Sequence, residues 1–515
     1  MFRSKASLVL SVVLVASCAT APTPVPGSSA ARESAALPAT SSSTPSALST
    51  DPGDPNPVPS ATSTPSGPAA WPLTIESERG FEPEFAPDGT VYLLMGGQDA
   101  QLVALDRGGH LMPGWPVGER PGSDFGSLAV GIDGSAYIEE CAGATVGCVV
   151  HRLDATGQDL SGWPNEIPSD FACSNGGNCA PSGLYVGTDG TVFISHWREV
   201  GGLQVLAIDP SGRIKPGWPV APGASGGRWW SNLELGSDGA LFMLGVPDDG
   251  MQTEASITAF GPDARPRPGW PVAVPERSVY TLGPNGTVVV WSLIDDVGEL
   301  CPAPRRTLFT VLGRDGQTLP GWPRGSTGHA SGPVLDPDGT LYYISATARV
   351  YAHDTSGEVK AGWPVLVPGA GNGCGPQGPA LASDGTIYVV GDEIVALSAD
   401  GQSRPGWPYR PTGSLTGPCF DSECFDYPGG VSFGPDGTVY LIVYHGERGS
   451  VRAEIVAIDQ HGQVKPGWPY PLPFDANTVP LVARGVTLDG RLFVGAGYFS
   501  PFMLLALDPD GQMSR

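Results

Sequence analysis

"PDGTVYLLMGGQDAQLVALDRGGHLMPGWPV", residues 87–117, holds two turn signals, each set among alternating apolar residues, and ends in Gly-Trp-Pro. Asp88-Gly89 between apolar runs marks a tight hairpin, because glycine accepts the positive φ that such turns need. Asp106 opens a second turn, where its carboxylate can bond its own backbone. Two hairpins in succession make four antiparallel strands, here termed A to D.

The same order recurs along the chain. Trp-Pro stands at Trp71, Trp115, Trp163, Trp218, Trp270, Trp322, Trp363, Trp407 and Trp468, and every interval holds one Asp-Gly or Asn-Gly turn followed by an apolar run. Repeats of roughly 40–50 residues with four strands each predict an all-β chain folded as a β-propeller. Nine such turns, from Asp88-Gly89 to Asp489-Gly490, predict nine blades. An eight-bladed ring with one irregular unit is the alternative. The last unit lacks a Gly-Trp-Pro, while Trp71 has no preceding strands. The N-terminal strand is therefore expected to complete the last blade, which leaves no open edge.

The segments "VALDRGGHLMPGW" (103–115) and "VAIDQHGQVKPGW" (456–468) resemble the repeats of quinoprotein-like propellers, and the resemblance runs from about 71 to 511. It implies that each tryptophan docks between neighbouring blades. The turn is one residue shorter than in that family, and Gly261, Gly313 and Ser398 replace its aspartate. A residue present in every unit serves what all units share, so the nine tryptophans read as scaffold.

The 515 residues include 73 Gly and 54 Pro, and the formal net charge is -24. No basic stripe is present to neutralise phosphates, which argues against a nucleic-acid partner. Residues 1–17 read as a signal segment: Arg3 and Lys5, an apolar run too short to span a bilayer, then Val15-Ala16-Ser17-Cys18. That ending resembles the lipobox of bacterial lipoproteins, which implies acylation of Cys18 and a membrane anchor on the exported side, at the plasma or the outer membrane. Residues 18–70 are dominated by Ala, Pro, Ser and Thr and read as a disordered tether. The propeller occupies 71–515.

Breaks in the repetition point to function. The second turn and the next tryptophan are always nine residues apart, as from Asp106 to Trp115. Length varies only in the B–C and D–A connections, which lie on one face of the disc. Variable loops on a rigid scaffold carry binding residues. The eight cysteines besides Cys18 read as disulfides of an exported chain. Cys141–Cys148, Cys173–Cys179 and Cys419–Cys424 are expected to staple long loops on that face, and Cys301 with Cys374 forms the remaining pair. His196, Trp197, Arg228, Trp229 and Trp230 are candidate ligand-binding residues in the same loops, since Trp and Arg are enriched at binding hot spots. The competing reading of Trp229 and Trp230 is that they plug the channel. His329 and His445 also fall in loops of this face.

No adjacent cysteine pair, calcium loop, HExxH or P-loop occurs, so no catalytic, metal or cofactor residue is assigned. The expected function is a membrane-tethered, non-enzymatic scaffold that binds protein or glycan. Its layout resembles that of the propeller lipoproteins of outer-membrane assembly. The alternative is an enzyme of the quinoprotein or sugar-dehydrogenase kind, with its cofactor over the central channel.

Overall fold

Each Asp-Gly turn closes as its residue types require. In the first, Gly89 takes φ of +89° and Asp88 Oδ1 accepts from Thr90 N at 2.9 Å. In the second, Asp106 Oδ1 accepts from the backbone N of Gly108 and His110. The computed structural model describes residues 71–514 apart from 76–82, 96–99, 119–122, 142–146, 169–170, 172–180, 199–201, 222–232, 246–254, 276–277, 284–285, 295–305, 327, 331, 371–377, 416–430, 447–450, 474–480 and 497–501.

The hairpins pair in chain order into nine antiparallel sheets, one per blade. In blade 1 strands A to D are Glu84–Phe85, Val91–Met95, Gln101–Leu105 and Val117–Gly118. In blade 2 they are Asp124–Val130, Ala136–Cys141, Cys148–Leu153 and Asn165–Glu166. Blade 3 has Pro181–Val186, Val192–Arg198 and Gly202–Ile208, with strand D reduced to the bridge of Val220 to Val205. Blade 7 is likewise reduced, to Tyr409 on Ile394. Among the described residues there is no α-helix, and no helix is long and apolar enough to cross a membrane.

Closure follows the expected route. Leu73–Ile75 pairs antiparallel with Phe502–Leu507, in the register Leu73↔Leu504 and Ile75↔Phe502. The first strand is thus strand D of blade 9, and the nine-bladed form, not the eight-bladed alternative, is the one adopted.

Strand A lies at the centre of the ring, since A strands of neighbouring blades pack on one another, most closely between blades 2 and 3. The core fills the junctions between blades. At each junction a tryptophan standing just before one blade's strand D inserts beside the C–D turn of the next. Trp71 Nε1 donates to the Arg107 carbonyl at 3.2 Å, Trp115 to Ala155 at 3.0 Å and Trp468 to Pro509 at 3.3 Å. The nine rings are between 3% and 8% exposed, so all of them are core. In seven blades a strand-B aromatic packs against the tryptophan of its own blade, as Phe193 does on Trp218 and Tyr440 on Trp468, and Phe493 does the same for Trp71. This placement explains the repeated motif. A large apolar ring fills the wedge between blades, and in every tryptophan but Trp218 its one N–H finds a turn carbonyl.

Candidate functional site

The two faces of the ring differ in the way the loop lengths imply. Among the described residues, one carries short turns of nearly one geometry, closed by backbone bonds such as Gly131 N to Ser135 O and Asp154 N to Gln158 O. A dip on this face, lined by Asp436, Thr438, Asp459, Gln460, His461 and Lys465, is crossed by the Lys465 ammonium. That group bonds Asp436 Oδ2 and Thr438 Oγ1, both at 2.8 Å. The opposite face carries the B–C and D–A connections.

Arg228, Trp229 and Trp230 lie outside the described residues, as do Cys18, Cys173, Cys179, Cys301, Cys374, Cys419 and Cys424. Trp197 is described only as part of strand B in blade 3, opposite Leu203. His196 departs from its expected place. It belongs to the same strand and is buried at 2% exposure, because the blade 3 hairpin extends to the pair Arg198↔Gly202. His445 also ends a strand B, that of blade 8 (Val439–His445), and bonds Glu454 Oε1 at 2.9 Å. His329 lies in a D–A connection, as read.

Cys141 and Cys148 form the expected disulfide. They sit at the mouth of the B–C connection rather than within it, as directly opposed residues of strands B and C. Beside them is a polar cluster that the sequence reading did not assign. Strand B of blade 2 runs Ala136-Tyr137-Ile138-Glu139-Glu140-Cys141, and alternation sends its two glutamates to opposite sides. Glu139 faces blade 3 and lies 2.5 Å, Oε1 to Nε2, from His196. Both are buried, and Phe171 stacks on the imidazole at 4.9 Å between centroids. Glu139 Oε1 is also 3.6 Å from Cys141 Sγ. Glu140 faces the other way, accepts from Ser123 Oγ and meets His151 Nε2 at 3.0 Å, while His151 Nδ1 meets Asp159 at 3.0 Å.

A third acidic position lies near the axis. Glu234, on strand A of blade 4 (Leu233–Leu235), accepts from Leu282 N of blade 5 at 2.9 Å. Burial pushes its pKa up to about 7, and the hydrogen bond from Leu282 only partly opposes this. Glu139 and Glu140 could have been found by aligning the strands position by position, whereas Glu234 shares its strand position with Glu84 of blade 1. Glu139 and Glu140 replace residues that are mostly apolar or small in the other blades, for instance Leu94 and Met95.

No family model matches the chain, and no curated protein matches it. Solved structures do. A eukaryotic initiation factor is 12% identical, with 77% of this chain and 89% of that chain covered at a TM-score of 0.49. The WD40 domain of SCAP from fission yeast is 10% identical over 86% and 98%, at 0.43. BamB from Moraxella catarrhalis is 14% identical over 62% and 80%, at 0.32. The likeness is one of fold alone.

Proposed function

We propose that this chain is an exported, lipid-anchored β-propeller that acts as a non-enzymatic binding scaffold, engaging a protein or glycan partner through its loop face. The observation that carries this reading is the asymmetry of the ring. Turn geometry is held nearly constant on one face, and all variation in connection length is confined to the other. Cys18 supplies the anchor, and residues 18–70 hold the ring away from the bilayer.

Photo-crosslinking groups placed one at a time test the face. At Trp197 and Trp230 they should capture one and the same partner in a membrane preparation. At Ile132 and Leu488, turn-face tips that are 68% and 64% exposed, they should capture none. Capture only from the turn face overturns the reading. Cys18→Ser should move the protein out of the membrane fraction, and retention at wild-type level removes the anchor. Turnover in a dye-linked assay with pyrroloquinoline quinone and calcium would replace the scaffold by the enzymatic alternative.

A further inference from the structure

The junction between blades 2 and 3 differs in kind from the other eight. Glu139 stands six residues after its turn aspartate, Asp133, and His196 stands seven after Asp189. The equivalent positions elsewhere pair Ser195 with Gly245, Leu244 with Ser292, and Val390 with Val443. Only at this junction does a carboxylate face an imidazole. Glu139 is 0% exposed, and buried charges are paired or bound to metal. Its pairing is incomplete, because Glu139 Oε2 and His196 Nδ1 are both buried without a hydrogen-bond partner among the described residues. Two sulfur atoms complete the surroundings. The Glu139 carboxylate and the Sγ atoms of Cys141 and Cys148 all lie within 4.8 Å of one another, while His196 stands outside that group and touches it through Glu139 Oε1.

Sulfur, carboxylate and imidazole donors together select a borderline-soft ion such as zinc over calcium or magnesium. Bonds of about 2.0–2.3 Å in a tetrahedron set zinc ligands roughly 3.5 Å apart. The 3.6 Å from Glu139 Oε1 to Cys141 Sγ already has that spacing. His196 Nε2, at 2.5 Å from the same oxygen, stands closer to it than two ligands of one ion do and lies outside the group that holds both sulfurs, so the ring has to turn from the carboxylate toward the sulfurs when an ion enters. Access is from the strand end, where Cys141 is only half-buried.

We propose that reduction of the Cys141–Cys148 bridge converts this junction into a zinc site formed by the two thiolates, Glu139 and His196. In the oxidised chain the bridge staples the loop and both sulfurs are unavailable as thiolates. A dithiol reductant gives two electrons and two protons to the S–S bond and becomes a disulfide itself. Zinc then displaces the two thiol protons. His196 coordinates through Nε2 and keeps one proton on Nδ1. The junction thus has two closed states, one covalent and one metal-bound, chosen by the thiol potential of the surroundings.

Cobalt(II) titration of the purified full chain tests this, because thiolate-to-cobalt charge transfer is visible. Wild type reduced with a phosphine should take up cobalt at this site with a charge-transfer band that zinc abolishes, and the oxidised chain should show no such band. Zinc should also raise the melting temperature of the reduced chain and leave that of the oxidised chain unchanged. Glu139→Gln and His196→Gln keep both cysteines and should each weaken binding by ~10-fold or more. Their oxidised forms serve as the folding control, through the wild-type disulfide and melting temperature. The doubly substituted Cys141→Ser, Cys148→Ser chain should lose the band. A band of wild-type size in that chain would place the metal on other cysteines and overturn the proposal. Wild-type affinity in Glu139→Gln overturns it equally, as does a reduced wild type that binds no cobalt.

Discussion

Trp218 is the exception among the nine tryptophans, and a single methyl group accounts for it. Its Nε1 is buried without an acceptor, whereas the others donate to the carbonyl of the second residue of the next blade's C–D turn. In blade 4 that turn reads Gly261-Pro262-Asp263-Ala264, and Ala264 occupies the place filled by glycine in the other blades, with φ of +64°. Where glycine stands, the turn comes so close to the preceding blade that a Cβ on Gly212 would lie 2.1 Å from the Gly162 carbonyl. Ala264 carries that Cβ, so the turn stands off and the indole N–H falls short. Ala264→Gly removes the left-handed strain, about 1–2 kcal/mol, and lets the turn approach to receive the N–H, about 1 kcal/mol. We predict a gain of ~1–2 kcal/mol in urea unfolding, since the added glycine freedom in the unfolded chain offsets part of it. A neutral or destabilising result would show that the methyl is not what separates the two groups. The replacement of aspartate at Gly261 was legible in the sequence. The consequence of Ala264 was not, because it depends on how near a neighbouring blade comes.

At the level of the strand, the readable part of the fold was what hairpin chemistry fixes locally. Asp-Gly turns and apolar alternation located the strands, and the invariant spacing from turn to tryptophan located the junctions. Contacts made across junctions were not readable in the same way. Glu139 and His196 are 57 residues apart, and they meet only because alternation turns one forward and the other back. Nothing in "ISHWREV" marks how far the hairpin extends, so the sequence alone leaves His196 in a loop. Glu234 is a second product of junction packing, and it yields a pH dependence. Its folded pKa of about 7 lies above its ordinary 4.5, so the folded state holds the proton more tightly than the unfolded state. The stability tied to that proton is fully present below about 4.5 and is lost as pH rises through about 7. Glu234→Gln keeps an acceptor for Leu282 N and cannot ionise. Its unfolding free energy from urea titration should match wild type near pH 4.5 and exceed it at pH 8, by an amount on the order of 1–3 kcal/mol. A constant difference across that range would mean that the carboxyl titrates normally in the fold.

For the whole molecule the governing fact is that the ring has no free end. In an open repeat array the terminal units have one neighbour, and stability is a sum of unit and interface terms. Here Leu73–Ile75 completes blade 9, and Trp71 bonds to blade 1, so the nine junctions form a closed set. Trp71 is 3% exposed, at least as buried as the other eight, although the strand that follows it is only three residues long. Trp71→Ala should therefore cost as much as Trp115→Ala, ~3–5 kcal/mol for a large buried aromatic. Deleting residues 71–75 should cost more than the substitution, because it also bares the backbone edge of Phe502–Leu507. An exposed apolar edge is a template for pairing with another chain. The deletion should accordingly broaden the unfolding transition and shift part of the protein to dimers or larger species on size exclusion. If the truncated ring unfolds as one sharp transition at the wild-type midpoint, closure contributes nothing to cooperativity, and the ring behaves as a linear array that happens to meet itself.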